Sequence, residues 1–215
     1  LKSAVTFCLG SAFPIVIWWD REHTIQFYND AYISFLGPAK HPACLGRSGS
    51  ECWKEIWGTM GPLWDNVFET GEASWFEDFY YGINRRLPRE EGYFTFSYSP
   101  IHGPAGTVDG IFCACYETTE KVVGARRLET LRRLGEQATE ARSVVDACAQ
   151  AVAVLHENLH DIPFVRIYHV DEQGNLPADT MAPAALAAGG YRIQSVQLVD
   201  LFPQTYHIET VVHLE

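Results

Sequence analysis

The chain has 215 residues, 47% of them apolar, with a formal net charge of −11 and a pI near 5.1. That composition supports a packed core and excludes disorder as the overall state. The acidic balance argues against nucleic acid as the main partner, because phosphate contacts need a basic face, and no apolar run is long enough to span a bilayer.

Residues 2–10 predict a short helix stopped at Gly10-Ser11. This opening has no basic n-region or cleavage site of a signal peptide, and its start at Leu1 rather than Met is expected of a fragment of a longer protein. Residues 15–19, an apolar run, predict a strand. Asp20 to His23 then turns into a second strand over 24–28, forming a hairpin. Asn29-Asp30 is a helix N-cap signal, and Gly37-Pro38 stops that helix after Leu36. Residues 46–57 read as turns and a short helix. Residues 59–70 read as a longer helix closed by Gly71.

A third strand is expected over 75–83, followed by a polar loop at 84–91. Phe94, Phe96 and Tyr98 alternate with Thr95, Ser97 and Ser99, the period of a half-buried strand. A Gly-rich turn at 103–106 leads to a fifth strand over 111–116. Glu117-Thr118-Thr119-Glu120 then opens directly into a helical pattern. From 120 to 159, apolar residues such as Leu128, Leu131, Leu134, Val145, Val152 and Leu159 recur every three or four positions, predicting a long connector helix. The near-heptad spacing suits a seam between two chains; its later half equally suits packing on its own domain. Beyond Pro163, strands are expected over 164–170, 196–201 and 210–214. A hairpin turn lies at 171–174 and an Ala-rich stretch at 178–190.

The first half resembles a PAS domain. The echoes are Tyr28-Asn29-Asp30-Ala31-Tyr32, Leu45-Gly46-Arg47, Ser99-Pro100-Ile101 and the exit Glu117-Thr118-Thr119-Glu120, with Glu where the family usually has Asp. Phe13-Pro14, Trp18-Trp19, Lys40-His41-Pro42-Ala43, Glu55-Ile56-Trp57 and the 93–100 strand are similar to a bacterial subgroup. There a PAS domain precedes a GAF domain in sensor histidine kinases, often hybrid ones with receiver domains. The second half resembles the beginning of a GAF domain. The expected fold is therefore α+β: a terminal helix over 1–13, a PAS-like five-stranded antiparallel sheet with short helices over 14–119, a connector helix over 120–160, and a partial GAF-like α/β segment over 161–215.

The resemblance implies a cytoplasmic sensory module of a two-component protein, its kinase domain downstream in the same polypeptide and its connector helix shared with a second copy. Nothing in the chain resembles the kinase itself. Glu117, Thr119 and Glu120 are the residues implied in passing the signal onward. PAS sheets enclose a small cavity, for which Trp53, Trp57, Phe68, Phe79, Phe94, Phe96 and Tyr98 are candidates, joined by Tyr81. The plainer reading is that these aromatics fill the core. A structural dimerisation adaptor without a ligand is the alternative function.

No catalytic or metal site is expected. His156-Glu157-Asn158-Leu159-His160 fits the string of a zinc hydrolase helix, but Leu155 and Leu159 mark it as a packing helix. Flavin photochemistry of the LOV type places a reactive Cys shortly after a Gly-Arg pair. Here Gly49 stands at that place and Cys52 comes later. Residues 59–70 carry no haem-ligating His. Arg47, Arg85 and Arg86 could bind an anion, but loop arginines are more often solvated. The six cysteines, at 8, 44, 52, 113, 115 and 148, read as small buried residues of a reducing cytosol.

Overall fold

The run Ile15–Trp19 (β1) is apolar at every position because both of its faces are covered. Ile15 and Ile17 point to one side and pack with Cys8 of helix α1, Lys2–Gly10; Val16 and Trp18 point to the other and join the main core. The computed structural model describes residues 1–165, 167, 193–199 and 209–214. They fall into two units, Leu1–Ala125 and Arg126–Glu215.

In the first unit β1 pairs with β2, Ile25–Tyr28, and with β5, Val108–Glu117. The sheet continues through β4, Glu90–His102, to β3, Ser74–Ile83. The order is β2-β1-β5-β4-β3 and every pairing is antiparallel, as the period-two patterns predict. Between β2 and β3 the chain crosses one face through α2, Ile33–Leu36, α3, Gly49–Cys52, and α4, Trp57–Thr70. Met60, Trp64 and Val67 recur along α4 at helical spacing and are buried. Gly71 ends α4 in the left-handed conformation at φ 69°, and its amide bonds to Val67 O.

Both sheet edges are blunted. Along β2, Gln26 N donates to Arg47 O and Gly46 N to Gln26 O, each at 2.9 Å, so the loop after α2 caps the edge. Gln26 is fully buried; its side chain accepts from Trp18 Nε1 and donates to Cys44 O. The same loop is pinned by a disulfide between Cys44 and Cys52. This corrects the reading of all six cysteines as reduced: Cys8, Cys113 and Cys115 are buried and free, but Cys44 and Cys52 are paired. On β3 the register shifts between Phe76 and Phe79, and Asp78 N turns to bond Thr95 Oγ1.

Asn29, the N-cap read from sequence, holds more than its helix. Its Oδ1 accepts from Tyr32 N and Ile15 N, and its amide hydrogens are shared among Cys8 O, Ser11 O and Phe13 O. One buried side chain thus ties together α1, the entry to β1 and the turn after β2.

The connector is two helices, not one: α5, Thr119–Glu140, and α6, Val144–His156. Ser143 Oγ accepts from Asp146 N while Asp146 Oδ2 accepts from Arg142 N. This is the reciprocal cap of a new helix start. Within the second unit, the segment after α6 returns to α5. Arg126 bonds both oxygens of Asp161, and Asn158 donates to Thr130 Oγ1. The strands expected at 196–201 and 210–214 correspond to β6, Ile193–Val199, and β7, Glu209–Leu214, an antiparallel pair. Residues 164, 165 and 167 lie in no strand. The rest of that expected strand, its hairpin turn and the Ala-rich stretch lie outside the described residues.

Replacing Asn29 with Ala removes five bonds to the backbone at once; Cys8 O keeps Ser11 N and Tyr32 N keeps Asn29 O, while buried Ile15 N and the part-buried Ser11 and Phe13 carbonyls lose this partner. Unmet groups of this kind cost about 1–3 kcal/mol each, discounted where water reaches them. We expect Asn29→Ala to lower unfolding free energy by about 3 kcal/mol or more, read as a shifted urea midpoint at unchanged m-value.

Candidate functional site

The main core encloses a cavity of about 40 Å³ between the sheet and the helices. One inward face of the sheet supplies most of its wall: Tyr81 from β3, Phe94, Phe96 and Tyr98 from β4, Cys113 and Cys115 from β5. Alternation along each strand places these residues on one side. Trp53, after α3, and Met60 of α4 face them. The rings are closely set, with Phe96 and Tyr98 centroids 4.8 Å apart and Tyr81 stacked on Phe96 at 6.0 Å. The free space suits about three water-sized groups, so a ring enters only if these side chains move.

Of the aromatic candidates, Trp53, Phe94, Phe96 and Tyr98 line this cavity, together with Tyr81. The other three lie outside it. Trp57 stands edge-on to Trp64 and, with Phe68, lines a surface cleft beside Arg21 and Asp65. Phe79 packs on Tyr81 and Phe96 just beyond the bulge. Tyr32, Phe35, Met60 and the two thiols are lining residues that the aromatic pattern did not single out. Placing Cys113 and Cys115 two apart on a strand was the available signal.

The cavity wall holds no formal charge. Burial pushes the Tyr81, Tyr98 and Cys113 groups up from their ordinary values, so they stay protonated. Two of its polar atoms have no hydrogen-bond partner of good geometry among the described residues, Trp53 Nε1 and the Tyr81 hydroxyl.

At the end of β5 the sheet meets helix α5. Phe94, in the cavity wall, is the cross-strand partner of Glu117. Next to it, Tyr93 accepts from Thr118 N at 2.7 Å through its carbonyl, and its amide donates to Thr119 Oγ1 at 3.0 Å. Thr119 in turn donates to Glu117 Oε1 at 2.7 Å. Glu117 also receives both terminal nitrogens of Arg85, at 2.7 and 3.0 Å, and Arg85 donates two further bonds to Glu90 Oε1. The Arg85 side chain is only 12% exposed. It is therefore no solvated loop residue, and no open anion site remains on it. Arg47 and Arg86 are exposed, as expected. Lys121 adds a bond from the first turn of α5 to Asp78. Glu120 is exposed on that turn.

The His156 to His160 string does not form a metal-ligating face. Helix α6 ends at His156, His160 lies past it in a turn, and Glu157 is bonded to Arg133. Among the described residues no cluster of three or more His, Cys, Asp or Glu is placed to hold a metal, and no helix is long and apolar enough to cross a membrane.

A family model described as PAS fold matches residues 10–123. Among solved structures, the chain is similar to a sensory box sensor histidine kinase from Vibrio cholerae. The identity there is 17%, with 54% of this chain and 87% of that chain covered and a TM-score of 0.39. It is similar to the PAS domain of BvgS from Bordetella pertussis at 18% identity, over 61% of this chain and 96% of that chain, with a TM-score of 0.38. A LOV protein from Rhodobacter sphaeroides matches at 11% identity, over 74% of this chain and 85% of that chain, with a TM-score of 0.44. No curated protein matches.

The exit cluster makes a pH prediction. Burial alone would raise Glu117, but Arg85 and Thr119 outweigh it and hold the carboxyl below its ordinary value of 4.5; Arg85 does the same for Glu90. A depressed carboxyl contributes stability that is present above the ordinary value and lost as pH falls through the folded one. The difference in unfolding free energy between wild type and Glu117→Gln should therefore be constant from pH 8 to 6 and shrink below about pH 4.5. Its plateau is expected at about 1–3 kcal/mol, measured by urea titration across the pH series.

Proposed function

The chain belongs to the PAS fold family, and from that premise we propose that it is the sensory input module of a bacterial two-component signalling protein. In this reading its downstream kinase domain lies in the same polypeptide. The observation that carries it is the pairing of Phe94 with Glu117. A residue of the cavity wall lies directly across from the residue that anchors the connector helix. Displacing the Phe94 ring moves the β4 backbone at Tyr93, which holds Thr118 and Thr119. The helix start responds because these bonds and the Arg85 pair fix its first turn. Two arrangements of this junction need differ by only a few kcal/mol for a bound molecule or partner to select between them.

Helix α5 is the transmitting element. None of its residues is buried, and Leu128 and Leu131 are exposed on it. At near-heptad spacing they suit a seam with the same helix of a second copy. Residues 161–215 then begin a GAF-like segment; the β6–β7 pair is the part of that reading with described backbone. The module works without flavin or haem: Cys52 is engaged with Cys44, and α4 carries no His. A cytoplasmic position beside the kinase would leave the Cys44–Cys52 bridge open to reduction.

A structural adaptor is the second reading, and the small cavity favours it. Native mass spectrometry of the purified protein separates the two: a co-purified small molecule supports sensing, and its absence in every preparation supports the adaptor.

The sensory reading is tested in the full-length protein. Glu117→Gln is expected to change basal autophosphorylation several-fold, as about 1 kcal/mol of bias on a two-state junction requires. Output indistinguishable from wild type would refute it. The seam is tested by sedimentation: the wild-type chain should be a dimer, and Leu128→Glu with Leu131→Glu a monomer.

A further inference from the structure

We propose that the core cavity selects an uncharged molecule, ring-sized or smaller, that presents one strong hydrogen-bond acceptor such as a carbonyl oxygen or an unprotonated ring nitrogen. This rests on the sensory reading above and names the chemistry of its signal.

The argument begins with two orphaned groups. Trp53 and Tyr81 are 4% and 6% exposed and line the same cavity. The indole Nε1–H only donates, and no described residue accepts from it. The Tyr81 hydroxyl lies near enough to Tyr98 to feel it, yet makes no hydrogen bond of good geometry. An unmet buried donor is costly. Asn29 and Gln26, deeply buried elsewhere in this core, have both their side-chain amide and carbonyl groups bonded, while Trp64 Nε1 is a further unmatched donor outside the cavity wall. An acceptor placed in the cavity within reach of Trp53 Nε1 would meet that donor, and one that also reached the Tyr81 hydroxyl would meet both.

The remaining wall defines what else the molecule is. Phe94, Phe96, Ile83 and Met60 are apolar, and no Asp, Glu, Lys, Arg or His lines the space. An ion brought there would have no counter-charge, so the molecule is neutral. The free volume of about 40 Å³ admits a few heavy atoms as it stands. A ring must displace Phe94 or Phe96, and Phe94 is the residue across from Glu117. Size is thus the property that turns binding into movement.

The test uses three probes of one shape: acetophenone, ethylbenzene, which lacks the acceptor, and benzoate, which is charged. Calorimetry on the purified chain should show acetophenone binding at least about tenfold tighter than ethylbenzene, the equivalent of one good hydrogen bond, and no binding of benzoate. Trp53→Phe and Tyr81→Phe should each remove most of that preference while leaving ethylbenzene affinity unchanged. Tyr81→Phe removes only the orphaned hydroxyl, so its thermal midpoint should not fall, whereas Trp53→Phe also gives up buried ring area beneath Lys40 and is expected to lower its own. Should Trp53→Phe fail to fold, Tyr81→Phe carries the test. Equal affinity for acetophenone and ethylbenzene would overturn the proposal, as would preference for benzoate. So would absence of binding by all three probes, with ordered water on the two donors in a crystal structure. Hydrogen exchange at residues 119–125 separates this from the sensory reading. Acetophenone bound without altered exchange there upholds the ligand class and defeats the coupling; a changed basal output in Glu117→Gln with no probe bound does the reverse.

Discussion

A single guanidinium shared by two carboxylates sets the geometry of the sheet's exit. Glu90 opens β4, Glu117 closes β5, and Arg85 stands between them in the loop after β3. Two partly buried carboxylates at the ends of neighbouring strands repel unless a cation lies between them. Arg85 supplies it with a planar fork that two carboxylates can share. Removing Arg85 is therefore a different act from neutralising Glu117, since it leaves two anions facing each other rather than one satisfied pair. Gly37 belongs to the same arrangement. A Cβ there would approach Arg85 Cγ to 2.8 Å, and its φ of +68° is itself a glycine conformation. The glycine that ends α2 is also the one that lets the arginine through.

Around that charged exit the first unit is built with few polar groups inside, each with a defined task. Asn29 joins three chain segments, and Gln26 seals the edge of β2 to the following loop. The cavity is one exception. Its wall mixes stacked rings, two thiols and two donors whose bonds are unmet. Trp64 Nε1 and Ser74 Oγ are buried and unmatched outside that wall as well, so unmet polarity marks the cavity without being confined to it.

The strands and the main helix were legible because they depend on local period: two for β4, helical spacing for α4, with Gly71 as the stop. The N-cap at Asn29 was legible for the same reason, though not its four further side-chain bonds to the preceding segment. Arg85 was not. Its partners lie 5 and 32 residues away and become neighbours only when β3, β4 and β5 pair, so in sequence it is one more basic residue in a polar loop. The Cys44–Cys52 bridge was hidden likewise, because the loop approaches α3 by pairing with the edge of β2. The break in the connector was written locally as Ser143-Val144-Val145-Asp146, but the apolar period runs on through it and masked the cap. Among the cavity candidates, spacing alone does not separate Trp57 and Phe68, which pack at the edge of the core beside a surface cleft, from Trp53, because the crossing of helices over the sheet decides which ring reaches the cavity.

A short path joins the cavity wall to the start of α5. Alternation along β4 sends Phe94 inward and leaves Tyr93 to hold the helix start by its backbone. On β5, Cys115 lines the cavity and Glu117, two residues on, lies on the same side of the strand. Both routes are a residue or two long and run through paired strands rather than through a loop. A paired strand resists bending but moves as a unit, so a ring displaced by a few tenths of an ångström is not absorbed along the way. Under the proposed sensory role, the part free to shift is the exposed first turn of α5 with Glu120 and Lys121 on its surface. In that role the Arg85 pair would be the fixed point against which that turn shifts.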